Sequence, residues 1–390
     1  MNIQEYIEKK KVIQSLLLNY IENDNKEETF QNLIKSIEDQ KILNNHHEFK
    51  LLLCLILKVA NNHYRTSDFF FKIEKIFNVF KKDIKKNFSN SEIFNLFKNN
   101  KRILLILIKE EIITIDKTIS SVMTEYKYEE MKYPKYFFPE IKNFINESLI
   151  ESNNKETNDQ FEEKRKNGEN DNYICQLIRN DMIDEFITYV SKTNYDLSQK
   201  VNESIFETNP LLISDTPTII EYAAFFGSIQ IFQYLRYNNI ELASSIWKYA
   251  IHGRNPDIIH ILEENGPKPN DMNELILESL KCHHNELVNY FKIQAENNET
   301  NNDEQILYAH NYSYFPNFAD SNDAFVLFCF YNYIELVKLL LKTNEIDLEH
   351  GYMILLFIFL NGNKISIFSF IFNHLELLLL PGILKFSIFY

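Results

Sequence analysis

The sequence predicts an all-α protein, a solenoid of helix-turn-helix repeats preceded by an N-terminal helical region. Three observations carry this. Residues 1–133 contain neither glycine nor proline, and so long a stretch without turn punctuation suits helices and is hard to write as a β-sheet. Only seven glycines occur, no two closer than eleven residues. From residue 172 onward, apolar pairs recur in a two-one-two pattern, which sets four side chains on one helical face.

Within 1–150, apolar periodicity predicts helices over Ile7–Tyr20, Phe30–Leu43, Phe49–Ala60, Ser67–Phe80, Ser91–Phe97 and Arg102–Ile115. Ser67, ahead of the FFF run, and Ser91 with Asn90 are the expected N-caps. The run ILLILI (Ile103–Ile108) has strand propensity, but its helical neighbours favour a buried helix. Residues 151–171 hold one apolar residue, Phe161. They read as a hydrophilic linker in which FEEKRK can form a short exposed helix.

Beyond the linker, the apolar pairs start at Ile231, Ile258, Leu287, Leu336 and Ile367, with spacings of 27, 29, 49 and 31 residues. A looser copy holds Phe186-Ile187 and Tyr189-Val190. The long gap is read as an Asn-rich insertion at about 292–323. Gly or Asn precedes several of these helices, and both tolerate the left-handed backbone that ends one helix before the next. Asn255-Pro256 is an N-cap with proline at the first helical position, and Ser228 is expected to cap the helix after Gly227. The unit over 172–390 is thus a stacked helix pair of about thirty residues.

Composition closes off several function classes. The net charge of −14 opposes broad nucleic-acid binding, which needs clustered Lys and Arg. Glycines this sparse cannot build a dinucleotide fingerprint or a P-loop. Cys54, Cys175, Cys282 and Cys329 show no CxxC spacing and read as reduced thiols of an intracellular, cytoplasmic protein. MNIQEYIEKKKVIQ has no apolar signal core. The longest apolar runs, Tyr352–Leu360 and Ala324–Tyr331, fall short of the ~20 residues that span a bilayer. No transmembrane segment and no cofactor are expected.

The stretch TIIEYAAFFGSIQIFQYL (Thr218–Leu235) resembles the ankyrin consensus, and IELVKLLL (Ile334–Leu341) is similar to its second helix. The usual proline and histidine are missing from their consensus positions. Together with ICQLIRNDMIDEFITYV, SIFETNPLLI, WKYAIHGRNPDIIHILEEN and SLKCHHNELVNYF, these segments resemble a protozoan ankyrin-like family carrying a domain of the DUF3447 type. The resemblance implies degenerate ankyrin-like repeats and a binding role, with no activity to transfer.

Adjacent histidines on a helix point about 100° apart, so His46-His47 and His283-His284 are expected to be capping or surface residues, not metal ligands. His252 and His260 lie on the two helices of one repeat and could face each other. Cys282 with a neighbouring histidine lacks an oxyanion-forming turn. A His/Cys metal-dependent enzyme is therefore the weakest reading, and the leading one is a non-enzymatic interaction scaffold. The two positions before each turn, Phe225-Phe226, Ile251-His252, Leu280-Lys281, Phe330-Tyr331 and Asn361-Gly362, would line its concave face. Phe225, Phe226, His252, Lys281, Phe330 and Tyr331 are the candidate contacts for a protein partner. The aromatic ones either anchor the partner or pack between repeats. The apolar tail Leu375–Tyr390 supports the alternative, a structural protein that self-associates.

Overall fold

The computed structural model describes residues 2–23, 27–63, 66, 68–145, 157–295, 303–315 and 321–343. The expected cap Ser67, the run Tyr352–Leu360, the pair Asn361-Gly362, the repeat at Ile367 and the tail Leu375–Tyr390 lie outside them. Among the described residues the chain is all-helical between its loops, with one isolated bridge, Lys200–Thr218, and no strand. No described helix is long and apolar enough to cross a membrane.

The first six helices are α1 (Ile3–Glu22), α2 (Glu27–Asp39), α3 (His46–Asn62), α4 (Phe69–Asn87), α5 (Asn90–Phe97) and α6 (Lys101–Lys109). Their starts follow capping chemistry. Asn2, Asn45 and Asn100 accept backbone N–H bonds from the first turns of α1, α3 and α6. Ser89, two residues before the expected Ser91, forms a capping box with Glu92. ILLILI lies in α6, and Ile103, Leu104, Leu105 and Leu107 are fully enclosed. Each such side chain contributes about 1.5–3 kcal/mol relative to exposure, which overrides the run's strand propensity. Four short helices follow: α7 (Lys117–Met123), α8 (Tyr126–Glu130), α9 (Tyr133–Tyr136) and α10 (Phe138–Ile141).

The described part of the expected linker is built into the fold. α11 (Asn158–Asn167) buries Phe161 and encloses Arg165 completely. Arg165 Nη2 donates to both Glu140 carboxylate oxygens at 2.8 Å, and Nη1 to Glu162 Oε1 at 2.5 Å. The polar composition hides this because a single buried guanidinium, paired through both terminal nitrogens, anchors the helix.

Helix pairs follow: α12 (Tyr173–Arg179) with α13 (Ile183–Thr193), the short α14 (Pro210–Ser214) in the loop, α15 (Ile219–Phe225) with α16 (Ile229–Tyr237), α17 (Ile246–Gly253) with α18 (Pro256–Asn265), and α19 (Met272–Lys281) with α20 (Asn285–Gln294). First helices pack in succession, α12 on α15, α15 on α17 and α17 on α19, while α13, α16 and α18 pack behind them. The expected insertion at 292–323 holds another such element. Helix α21 (Asp303–Ala309) packs on α19, and a 3-10 turn, Tyr312–Tyr314, packs on α1. Finally, α22 (Ser321–Phe330) pairs with α23 (Ile334–Thr343).

The apolar interior divides elsewhere than the sequence suggested. Most buried apolar residues from Ile174 to Ala309 share one core, whereas Leu307, α22 and α23 share theirs with α1–α10. Gln14 of α1 fixes the return, accepting from Tyr312 N at 2.6 Å and donating to Asn311 Oδ1 at 3.3 Å. Asn45 donates to Glu335 Oε1 at 2.9 Å.

Candidate partner-binding row

The turns define the register of the site. Each first helix ends with a residue of left-handed φ: Asp181, Gly227, Arg254, His283, His310 and Asn332. In five of these turns, a Schellman-type bond closes the loop, as Ser228 N to Ala223 O at 2.9 Å and His284 N to Ser279 O at 2.9 Å. The turn lies at Arg254, not Gly253, and at His283, not Cys282. Two pre-turn pairs therefore shift by one. The residues two before the turn form the row Arg179, Phe225, His252, Lys281, Tyr308 and Phe330.

The residue after the turn ties successive units together. Ser228 Oγ donates not to its own helix but to the Ile178 carbonyl, at 2.5 Å. Asn311 donates to Leu280 O at 3.3 Å, and Tyr333 Oη to Leu307 O at 3.2 Å. Each of these acceptors stands three residues before the preceding turn. Asn255 caps α18 as expected and also donates to Gly227 O at 2.8 Å. The Asp181 carboxylate caps α16 across units, accepting from Gln230 N and Ile231 N at 3.0 Å each.

The row runs from enclosed to open. At its enclosed end, the Arg179 guanidinium lies 5.9 Å from the Phe226 ring. Phe225, 7% exposed, stacks on His252, 3% exposed, with centroids 5.4 Å apart. His252 Nε2 meets Glu278 Oε2 at 3.1 Å, and Glu278 Oε1 accepts from Lys281 Nζ at 2.6 Å. Burial opposes charge on His252, yet Cys282 and Glu278 override it and raise the imidazole to about 9. Burial likewise opposes charge on Glu278, but His252 and Lys281 hold its carboxyl down at about 2. Beyond Lys281 the row opens: Tyr308 is 44% and Phe330 39% exposed. Tyr331 Oη donates to Glu304 Oε1 at 2.9 Å, and its ring meets those of Phe330 and Tyr308.

Of the six candidate contacts, Phe225 and His252 are therefore inter-repeat packing. Phe226, Lys281 and Tyr331 are half-buried, and Phe330 is exposed. Phe225 is buried because it is clasped between Phe226 and His252; His252 is held in by Glu278, a residue the sequence did not single out. Tyr308 carries no comparable sequence signal, because its unit falls within the Asn-rich stretch that reads as an insertion.

The N-terminal helices reach onto this row. Lys58 Nζ of α3 sits 3.3 Å from the Tyr308 ring centroid, and burial lowers its pKa. Next to it, Arg254 Nη1 donates to Glu22 Oε1 at 2.7 Å, and Nη2 to Cys282 O at 2.8 Å. His63 Nε2 lies 3.1 Å from the same Glu22 oxygen. The hydrogen bond to His63, followed by that to Arg254, outweighs burial and lowers Glu22 to about 2.

The remaining clusters fall apart spatially. His260 is exposed and faces Glu263 and Glu264 on its own helix, away from His252. His46 Nδ1 contacts Asn87 O at 3.0 Å. His283 is buried while His284 is half-buried. Cys282 does lie beside His252, but its sulfur is fully enclosed, out of a substrate's reach. Among the described residues no three His, Cys, Asp or Glu side chains are grouped to hold a metal. No protein-family model, curated protein or solved structure matches the chain.

Proposed function

We propose that the chain is a non-enzymatic protein–protein interaction scaffold, an ankyrin-like solenoid that takes its partner on the open end of the inner row. The observation that carries this is the cluster of Tyr308, Phe330 and Tyr331, where two exposed rings flank a half-buried one, in contrast to the enclosed Phe225 and His252. Aromatic side chains bury large area at small entropic cost and dominate binding energy where they are accessible. Lys281 adds a cation at the edge, although Glu278 already engages it. The four free cysteines agree with a reducing, intracellular setting.

The test is affinity capture with mass spectrometry on wild type, Tyr331→Ala and Phe226→Ala, with circular dichroism as the control for folding. A partner recovered by wild type and Phe226→Ala but lost with folded Tyr331→Ala supports the open end as the contact. Equal recovery by all three chains, or no specific partner at all, overturns it.

A further inference from the structure

The left-handed turn position is held by small residues at Asp181, Gly227 and Asn332, but by larger basic ones at Arg254, His283 and His310. These three consecutive turns are the ones that the N-terminal helices cover. Arg254 pairs with Glu22 at the end of α1. His283 lies near His63 at the end of α3, and His310 near Lys58 of the same helix. Helix α3 itself packs on α19. His283 and His310 are both buried in this seam. Neither ring nitrogen of His283 has a hydrogen-bond partner, and His310 Nδ1 meets the Tyr333 hydroxyl at 2.9 Å.

A proton added to a buried imidazole needs a carboxylate to answer it. His283 faces His63, Arg254, Glu22 and the backbone of His310, while His310 faces Lys58, His283 and Tyr333. Glu22 is the single carboxylate in that set, and Arg254 and His63 already hold it. A proton on His63 is therefore matched by Glu22, whereas one on His283 or His310 is matched by nothing in the set. Burial first, then His63 and Arg254, holds His283 down to about 3, with the His310 backbone and Glu22 offsetting only part. Burial, followed by Lys58 and His283, brings His310 to about 3 as well.

We propose that His283 and His310 form an acid-sensitive latch between the N-terminal helices and the helix stack. Neutral, the two rings let the ends of α1 and α3 dock on the three turns; protonated, they release them. The latch is independent of the partner surface proposed above, although its opening takes Lys58 off the Tyr308 ring. The two neutral imidazoles favour the closed seam fully above pH 6.5, and this preference is lost as pH falls through 6.5 toward 3. With an ordinary imidazole in the open form, each histidine shifts the equilibrium about 30-fold toward opening at pH 5.

Hydrogen–deuterium exchange of the full chain at pH 7.5 and 5.0, corrected for intrinsic rates, reads the seam directly. Exchange in peptides 13–22 and 53–63 is expected to rise at least about tenfold at pH 5.0 relative to peptides from α15 and α17. A His283→Asn/His310→Asn double variant uses the residue type that already holds the turn at Asn332, and its rise should stay below about threefold. No rise, a rise spread evenly over the chain, or an undiminished rise in the folded double variant overturns the proposal. If that variant does not fold, carbon-13 histidine NMR on wild type decides. Two of the ten imidazoles should stay mostly neutral at about pH 6, where an exposed one is mostly charged. Ordinary titration of all ten overturns the latch.

Discussion

A Cβ atom on Gly253 would stand 2.0 Å from the carbonyl oxygen of Ala224. Helix α17 crosses α15 so closely there that only a hydrogen fits. The facing Gly227, at φ +66°, would bring a Cβ to 2.9 Å from Gly253 O. Gly253→Ala must therefore push the two helices apart. It is expected to cost about 1–3 kcal/mol, seen as a lower urea midpoint. A midpoint equal to wild type would show that the α15–α17 contact is not close-packed.

The His252–Glu278 pair predicts a pH profile with opposed limbs. His252 is raised from 6.5 to about 9, so its contribution is complete below pH 6.5 and disappears as pH climbs toward 9. Glu278 is lowered from 4.5 to about 2. Its contribution is complete above pH 4.5 and is lost as pH falls toward 2. The stability gap between wild type and His252→Gln should be widest at pH 4.5–6.5 and shrink on both sides. A gap independent of pH from 5 to 9 would refute the charged pair.

Arg254 and Glu22 join regions 232 residues apart. Glu22 is nearly half exposed, so solvent screens the pair and a coupling of only about 0.5–1 kcal/mol is expected. A double-mutant cycle of Arg254→Ala and Glu22→Ala would measure it, and 1 M salt should weaken it. Additive single effects would mean that the N-terminal helices are held without this contact.

Arg165 and Glu140 are a different case, since the guanidinium is fully enclosed. Burial already raises the Glu140 carboxyl above its usual value, despite Arg165. Arg165→Met should cost about 3–5 kcal/mol at pH 7, and adding Glu140→Gln should restore part of it. The single variant should also gain stability relative to wild type as pH falls and Glu140 takes up a proton. A loss that the second substitution deepens would contradict the stranded-carboxylate account.

Much of the helical pattern was legible in the sequence. The six N-terminal helices, the Asn255 cap and the hinge at Gly227 all follow from apolar period and local backbone chemistry. Those are short-range signals. What stayed hidden depends on distant partners. Arg254 and His283 adopt left-handed backbone without being glycine or asparagine, and that shifts two pre-turn pairs by one residue. Arg165 looked like linker because Glu140, 25 residues away, is invisible to local composition. Helix α21 broke the period because a 3-10 turn against α1 follows it in place of a full second helix. The bonds from Lys101 to the carbonyls of Ile205 and Glu207 have no sequence signature at all, since they form only where a loop 104 to 106 residues downstream folds back onto α6.

The contact from a post-turn side chain to the carbonyl three residues before the previous turn bridges 50, 31 and 26 residues of chain. Its register, post-turn donor to pre-turn carbonyl, is the same each time, while the intervening length nearly doubles. Added chain such as 195–217 is accommodated off the stack, and the molecule keeps its pitch by spatial docking rather than by residue count. Such a helix stack can gain or lose loops over evolutionary time while its first helices stay in register. Insertions placed between units should therefore be tolerated far better than a single-residue deletion inside a first helix.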